Sequence, residues 1–480
     1  MPKRNLIWIA LIISVAAVTA WVTRSDRPSS TRSGEGRLDG VEEAYRMIQQ
    51  RYYFQPDEQA LRRGAVRGMV GKLDEYSTYV APDDLQDFQS RLRGVEHGLG
   101  LVVEQAGERF CIVGPLLNSP AHRAGIDAGD ELVAIAGEPL TGLDLSDVEQ
   151  RLDCPAGGEL ELTVQREAGR RKDFTLKCGA FELESVVGLY RDDNGRWVHV
   201  IEPESGLAYV RIEEFVPDTG AKLREALQRS GPIAGLVLDL RGNPGGTLPA
   251  AVEVANEFLR EGAIATCVSR DQPPRRYRAQ SDGVLLDAPM VVLVNGETAS
   301  AAEIVAGALQ LHDRAVIVGG RTRGKGHMQT MLTLGDGLGQ INLTTAEMLV
   351  GEDQSICRSD DGLDWGIDPH AGAAVDESSE QRTRLEPLWR RAAVLAAPRD
   401  GQADQATTAP ASAPARDRAY AEFLFEDESL ETALELLSDA DRMEEILIRG
   451  AAQRSLAELE AEEARQAVAE EGEDEEQGNE

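Results

Sequence analysis

Apolar positions follow a helical spacing in the region after the amino terminus. They recur every three to four residues from Leu38 through Val41 to Ile48, a pattern typical of amphipathic helices. A Pro-Asp pair at Pro82 then predicts a turn and the start of another helix. We therefore expect residues 38–96 to form a helical segment.

The next region changes to short apolar runs separated by glycines. Residues 159–177 alternate apolar and polar positions around a turn, which predicts a β-hairpin. Residues 144–154 have the spacing of an amphipathic helix. Residues 97–180 are predicted to form a compact module of strands and two helices.

From residue 181 the pattern alternates between buried strands and helices. Continuous apolar runs at 235–240 and 290–295 predict strands buried on both faces. Helical patterns follow them near 247–260 and 299–311. Residues 181–398 are therefore predicted to be an α/β domain.

Both ends of the chain differ from this body. Residues 399–418 are a Pro- and Ala-rich linker, residues 419–468 are helical by composition, and residues 469–480 are an acidic tail expected to be disordered. Residues 1–37 combine a signal segment with a polar linker. Its apolar stretch from residue 6 to 22 follows Lys3 and Arg4.

An apolar stretch of that length fits either an uncleaved membrane anchor or a cleaved signal peptide. Trp8 and Trp21 near its ends suit an anchor, whereas Val18-Thr19-Ala20 suits a cleavage site. We expect the body to lie in the cell envelope. It would be anchored on the periplasmic side of the inner membrane, or secreted to the periplasm if the segment is cleaved.

The formal net charge of −33 argues against nucleic acid as a partner, because the chain lacks a basic footprint. Its five cysteines and six histidines have no metal-binding spacing. Antiparallel pairing of the predicted hairpin would place Cys178 near Cys154, and a disulfide between them is a hypothesis that the sequence itself leaves open.

One serine and one lysine have the clearest chemical potential. Ser300 stands between a buried strand and a helical run, where free N–H groups stabilise an oxyanion, although serine is also a common helix cap. Only six of the 50 Lys and Arg residues are lysines, and Lys325 is flanked by glycines. Lysine, unlike arginine, can lose its proton when buried, so Lys325 is a candidate base.

Several motifs resemble the carboxyl-terminal processing peptidases, or tail-specific proteases. "NGETASAAEIVAGALQ" and "VIVGGRTRGKGHMQ" resemble the core signature, and "GLGLVV" with "SPAHRAGIDAGDELVAI" resembles the inserted PDZ domain. "LDEYSTYVAPDDLQDF", "LVLDLRGNPGG", "GIDPH" and "DESLETALELL" resemble other parts in the same order. The resemblance implies a crotonase-like α/β protease core with an inserted PDZ domain and an N-terminal helical segment.

The resemblance also implies roles for individual residues. Ser300 aligns with the nucleophile, Lys325 with the general base and Gln329 with the residue that orients the lysine. Ala301 and Gly245 would supply the oxyanion N–H groups. Arg323 stands where the family usually has an aromatic residue, and His327-Met328 replace a smaller pair. Arg323 and His327 would either alter substrate preference or lower the pKa of the lysine through a neighbouring positive charge.

In the PDZ module, one short loop aligns with the loop that binds a peptide carboxylate. It consists of Gly98, Leu99, Gly100 and Leu101. A bound peptide would then add as a strand beside it. The resemblance thus implies a serine endopeptidase that cleaves proteins near their C-termini, with an adaptor or activator protein as a further candidate partner. It implies no cofactor and no metal.

Two other functions fit parts of the sequence. A catalytically inactive scaffold would bind C-termini through the PDZ module alone, but the intact Ser300, Lys325 and Gln329 argue against it. An acyl-transfer enzyme on a crotonase-like core would need a coenzyme-binding signal, which the sequence lacks.

The acidic tail is predicted to be dispensable for chemistry, because residues 469–480 carry no motif. Truncation after Val468 should leave the rate of reporter-peptide cleavage within about two-fold of the full chain. A tenfold loss of turnover would instead give the tail a catalytic or assembly role.

Overall fold

A computed structural model describes most of the chain between residues 38 and 456. The described residues are 38–155, 157–166, 169–192, 195–202, 204–280, 286–358, 365–375, 381, 385 and 427–456. The predicted signal segment, the 399–418 linker and the acidic tail lie outside them. The chain divides into two compact units, Met1–Leu73 and Asp74–Glu480.

The described part of the first unit consists of two helices, α1 (Asp39–Arg51) and α2 (Glu58–Val70). The carboxylate of Asp57 caps α2 by accepting the N–H of Ala60 at 3.1 Å. The helical spacing in the sequence predicted this region correctly.

The second unit begins with a short strand and a helix. Strand β1 (Thr78–Val80) leads into a 3₁₀ turn at Pro82–Asp84 and helix α3 (Leu85–Arg91). The turn starts at the proline, as the sequence predicts.

The PDZ-like module follows with eight strands and two helices. In chain order these are β2 (Val95–Gly98), β3 (Leu101–Ala106), β4 (Arg109–Pro115), α4 (Pro120–Arg123), β5 (Glu131–Ile135), β6 (Glu138–Pro139), α5 (Leu145–Leu152), β7 (Glu159–Gln165), β8 (Arg171–Lys177) and β9 (Gly179–Glu182). Five of them form a sheet in the order β3-β4-β5-β7-β8, with β6 on β5, while β2 pairs with β9. This is the predicted compact module.

The hypothesised disulfide between Cys154 and Cys178 is present in the structure. The hairpin strands β7 and β8 are antiparallel, and their register pairs Glu159 with Lys177. Cys178 therefore lies 6.4 Å from Cys154 between Cα atoms, within the range that a disulfide spans. The bond ties the end of α5 to the end of β8.

The α/β core supplies the remaining strands and three helices. These are β10 (Val186–Val187), β11 (Tyr190–Arg191), β12 (Trp197–Val198), β13 (Val200–Glu202), β14 (Leu207–Ile212), α6 (Thr219–Arg229), β15 (Gly235–Asp239), α7 (Leu248–Asn256), β16 (Ala263–Ser269), β17 (Arg275–Arg278), β18 (Met290–Val294), α8 (Ala301–Leu311), β19 (Val316–Gly319), β20 (His327–Thr333), β21 (Gln340–Val350) and β22 (Gln354–Ser355). Strands β14, β15, β18 and β19 are parallel neighbours in one sheet. The predicted strands at 235–240 and 290–295 are its two central members.

A second sheet has the order β1-β21-β16-β17, with β20 and β22 also paired to β21. Helix α8 packs between the two sheets, and its residues from Ala301 to Leu309 are all buried. The other face of the parallel sheet is covered by helix α9 (Glu428–Ser438) and by helical residues 440–456. The core therefore has sheet, helix and sheet layers with a further helical layer outside.

None of the helices in the described part of the chain is long and apolar enough to cross a membrane. The apolar stretch at residues 6–22 lies outside that part.

A buried histidine joins the parallel sheet to the C-terminal helices. His370 is 3% exposed, and its Nδ1 accepts the N–H of Ile317 at 2.9 Å. Its ring lies so close to Gly450 that a Cβ there would stand 2.6 Å from it. Burial, reinforced by the nearby positive charge of Arg454, lowers the pKa of His370 to about 4.

This buried histidine should make the fold sensitive to acid. The folded-state pKa lies below the free value, so the unfolded chain binds more protons between pH 6.5 and about 4, and stability falls as pH falls through that window. The substitution His370→Asn keeps an acceptor but removes the titration. Between pH 7 and 5 the variant should lose about 2 kcal/mol less unfolding free energy than wild type, measured by urea unfolding. Equal losses in both proteins would contradict this account.

Candidate active site

Ser300 lies at a sharp turn between β18 and α8, buried with 8% of its surface exposed. Its backbone has φ 56° and ψ −118°, a conformation that a residue with a side chain rarely adopts. The turn directs the chain from the carboxyl end of the strand straight into the first turn of the helix. A strained turn of this type places a serine hydroxyl at the positive end of the helix.

The carboxylate of Glu303 holds this turn in place. Its Oε2 accepts the N–H of Ser300 at 2.7 Å and that of Lys325 at 2.9 Å. Its Oε1 accepts the N–H of Gly324 and the hydroxyl of Thr322, both at 2.6 Å. Burial raises the pKa of Glu303, and the four donors oppose that rise by stabilising the ionised form. One buried side chain thus joins the Ser300 turn to the Lys325 loop.

Sequence analysis did not single out Glu303. Ser300 immediately precedes α8, and Glu303 is the third residue of that helix. The two therefore form the Ser-x-x-Glu pattern of a capping box. That pattern predicts the bond to the Ser300 N–H, but not the two contacts to the Gly324 and Lys325 backbone. Those depend on the fold bringing the second loop beside the helix.

Lys325 lies next to the serine turn, because Glu303 binds the backbone N–H groups of both residues. The Nζ atom stands 5.0 Å from the centre of the Tyr76 ring, a cation–π contact. Within the described part of the chain, no hydrogen bond joins Lys325 Nζ to Ser300 Oγ. Burial lowers the pKa of Lys325, the positive charge of Arg323 adds to this, and Glu303 and Glu75 act in the opposite direction.

Gln329 is also turned to other partners. Its Nε2 donates to the carbonyl of His327 at 3.1 Å and to the hydroxyl of Thr344 at 3.2 Å. The structure therefore brings Ser300 and Lys325 into one region through Glu303, while Gln329 contacts strand β21 rather than the lysine.

The glycine loop after β15 passes directly over the serine. A Cβ on Gly245 would lie 2.8 Å from Ser300 Cβ and 3.0 Å from the nitrogen of Ala301, so only glycine fits. The Gly245 N–H donates to Asn243 Oδ1 at 2.8 Å. The Ala301 N–H has no acceptor among the described residues. One of the two predicted oxyanion donors is therefore unused here, and the other has a partner within its own loop.

In the PDZ module, the predicted carboxylate loop leaves two N–H groups without acceptors among the described residues, those of Leu99 and Gly100. The loop is held by its carbonyls, since Leu99 accepts the N–H of Ala121 at 2.9 Å and Gly100 accepts that of Leu116 at 2.9 Å. Strand β3 pairs with β4 alone among the described strands, which leaves its other edge for a peptide strand.

The described residues contain no group of three or more His, Cys, Asp or Glu side chains arranged to hold a metal ion.

Three protein families match successive parts of the chain. Residues 206–372 match peptidase family S41, residues 112–166 match a PDZ domain, and residues 14–83 match the N-terminal domain of the activating protease CtpB. These matches confirm the predicted fold class, a protease core with an inserted PDZ domain and a helical segment before it.

Two relatives and one solved structure are similar to the chain over most of its length. The carboxy-terminal-processing protease of Bartonella bacilliformis is 31% identical over 350 residues, which are 72% of this chain and 78% of the relative. The carboxy-terminal processing protease CtpA of Bacillus subtilis is 29% identical over 382 residues, 78% of each chain. Among solved structures, a photosystem II D1 C-terminal processing protease is 28% identical with a TM-score of 0.42, covering 74% of this chain and 97% of its own.

The extent of the match to the Bartonella protein decides the family, because it covers most of both chains at 31% identity. With the S41 and PDZ matches, the chain belongs to the carboxy-terminal processing proteases of peptidase family S41, and it is a serine peptidase that carries a PDZ domain.

Proposed function

We propose that this chain is an exported endopeptidase that cleaves proteins near their C-termini with Ser300 as nucleophile and Lys325 as general base. The observation that carries the proposal is the Glu303 carboxylate, which binds the backbone of both residues at 2.7 and 2.9 Å. A buried anchor shared by two loops fixes the separation of their backbones.

In the proposed reaction, neutral Lys325 accepts the hydroxyl proton of Ser300 as the serine oxygen attacks the scissile carbonyl carbon. The carbonyl oxygen becomes negative and is stabilised by the N–H groups of Ala301 and Gly245. The lysine then gives the proton to the leaving amine, and an acyl-enzyme remains. Water attacks the acyl carbon while Lys325 accepts its proton, which forms a second tetrahedral intermediate. This intermediate collapses to the carboxyl product, and Lys325 returns the proton to the Ser300 oxygen as it leaves.

Three groups must change partners before this reaction can proceed. Lys325 Nζ has to leave the Tyr76 ring, and Gln329 has to turn from Thr344 to the lysine. The Gly245 N–H has to be released by Asn243 Oδ1. We propose that capture of a free C-terminus by the PDZ module promotes these changes, so that the module both selects substrates and gates the site.

Two observations support export. Lys3 and Arg4 precede an apolar stretch of the length found in signal segments. The Cys154–Cys178 disulfide in the PDZ module suits an oxidising compartment such as the periplasm. The segment would anchor the protein in the inner membrane, or direct it to the periplasm if it is cleaved.

Cellular substrates can be identified by comparing protein C-termini in cells that carry wild type and Ser300→Ala. The proposed function predicts a set of envelope proteins with longer C-termini in the variant cells. Identical C-termini in the two strains would contradict the proposed endopeptidase function.

The role of Lys325 is tested by substitution with arginine. Arginine keeps the charge but holds its proton at every workable pH, so Lys325→Arg should lose kcat/KM by about 10²–10⁴-fold, nearly as much as Lys325→Ala. The assay is cleavage of an unstructured peptide with an apolar C-terminus, with circular dichroism as the check on folding. A folded arginine variant within about tenfold of wild type would refute the base assignment.

The role of Glu303 is tested by Glu303→Gln. The amide keeps one oxygen but loses the charge. Its NH₂ group, which can only donate, would face backbone N–H groups that need an acceptor. We expect kcat to fall by about 10²-fold or more, since four buried donors lose an ionised acceptor.

The matched control for this test is Glu261→Gln, which makes the same chemical change at an exposed position. It should cleave the peptide like wild type. If Glu303→Gln also retained the wild-type kcat, the shared anchor would not position the catalytic residues.

A further inference from the structure

Asp427 stands at the point where the C-terminal segment meets the core, and its side chain is buried. It is 2% exposed, and its partner Arg241 is 1% exposed. Arg241 donates from Nη1 to Asp427 Oδ1 at 2.8 Å and from Nη2 to Asp427 Oδ2 at 2.7 Å. This is a bidentate pair, the strongest geometry available to an arginine and a carboxylate.

The adjacent edge of the same guanidinium, formed by Nε and Nη2, binds Asp239, the last residue of β15. Arg241 Nε lies 3.0 Å from Asp239 Oδ1, and Nη2 lies 2.7 Å from Oδ2. The hydroxyl of Tyr209 also donates to Asp239 Oδ2, at 2.8 Å. Arg241 therefore sits between two buried carboxylates, one from the parallel sheet and one from the C-terminal segment. Removal of either charge leaves a buried guanidinium only partly compensated.

Arg241 is also the first residue of the loop that passes over Ser300. The next residue, Gly242, donates its N–H to Asn295 Oδ1 at 3.1 Å. The carbonyl of Asn243 accepts the N–H of Ala299, the residue before Ser300, at 2.9 Å. The loop then reaches Gly245, beside the nucleophile. A shift of Arg241 would thus be passed directly to the predicted oxyanion donor.

Helix α9 fixes the position of Asp427. The Asp427 carboxylate caps the helix by accepting the N–H of Leu430 at 3.1 Å. The helix is anchored in turn by Leu430, Ala433 and Leu436, which are all fully buried in the cluster on the outer face of the parallel sheet. The cap and the buried face of α9 therefore both hold the Asp427 carboxylate in place.

We propose that Asp427 is a positioning residue for peptide cleavage. It holds Arg241 from the side of the C-terminal helix and thereby sets the height of the 241–246 loop over Ser300. This inference rests on the proposed function of that loop as an oxyanion site. It gives the C-terminal helix, which carries no catalytic motif, a part in completing the active site.

The first test is Asp427→Asn, assayed with the reporter peptide. The asparagine NH₂ group would face the Arg241 donors, so the loop should lose its fixed position. We expect kcat to fall by about 10- to 100-fold while KM changes by less than about three-fold, because an oxyanion contact is made mainly in the transition state.

A second measurement reports on the oxyanion site itself. A peptide aldehyde forms a tetrahedral adduct with the serine, whereas the matching product peptide does not. In Asp427→Asn the aldehyde should bind more weakly by about the factor lost in kcat, with little change in the affinity of the product peptide. A purely structural role for Asp427 would not separate the two ligands.

Asp439→Asn is the matched control. Asp439 caps the next helical segment by accepting the N–H of Arg442 at 3.0 Å. It is exposed, and among the described residues it forms no hydrogen bond or ion pair with Arg241. Asparagine caps a helix about as well as aspartate, so both substitutions keep a helix cap and remove one negative charge. It should leave kcat and the aldehyde affinity at wild-type values.

Two results would overturn the inference. One is a folded Asp427→Asn enzyme with wild-type kcat and aldehyde affinity, and the other is an equal loss of kcat in Asp439→Asn. If Asp427→Asn does not fold, Asp427→Glu decides, because it keeps the charge but moves the carboxylate by one methylene. Its kcat and aldehyde affinity should fall together by about three- to tenfold, and unchanged values would refute the positioning role.

These outcomes differ from a failure of the proposed function. If wild type itself did not cleave the peptide, or Ser300→Ala cleaved it equally well, the proposed protease mechanism would be wrong. If wild type cleaves through Ser300 and Asp427→Asn matches it, only the role of Asp427 is wrong.

Discussion

A buried carboxylate cannot remain ionised in the interior unless hydrogen bonds replace the water it has lost. Glu303 meets this requirement with four donors. They are the Thr322 hydroxyl and the backbone N–H groups of Gly324, Ser300 and Lys325. The same requirement therefore dictates where two loops lie. The strained Ser300 turn persists because the carboxylate and the helix behind it hold its backbone.

Ser300 and Lys325 lie in one region, but the hydrogen bonds that the proposed reaction needs are not formed. Three groups have other partners instead. Lys325 rests on the ring of Tyr76, Gln329 on Thr344, and the Gly245 N–H on Asn243. Each of these contacts is a single weak or neutral interaction, whereas the anchors beneath them, Glu303 and the Arg241 network, are buried and charged. Side chains can therefore rearrange over a backbone that stays fixed, as the proposed gating by the PDZ module requires.

Local sequence patterns predicted many of the elements, and they selected Ser300 and Lys325 as candidate site residues. The apolar runs at 235–240 and 290–295 became central strands, and hairpin pairing placed Cys178 beside Cys154. Contacts between distant segments could not be predicted in the same way. The Arg241–Asp427 pair joins residues 186 positions apart, and neither spacing nor periodicity reports such a meeting. The role of Glu303 was only partly predictable from the sequence, because its capping box is local while its contacts to the second loop are not.

The proposed mechanism requires that a lysine able to lose its proton makes Ser300 nucleophilic. The most direct measurement is the rate at which a fluorophosphonate labels the purified protein as a function of pH, with the adduct located by mass spectrometry. Labelling should occur at Ser300. Because burial and Arg323 lower the pKa of Lys325, the labelling rate should increase with pH, with a midpoint below the free-lysine pKa of about 10.4. A label on another residue, or a rate at Ser300 that does not change with pH, would contradict the account.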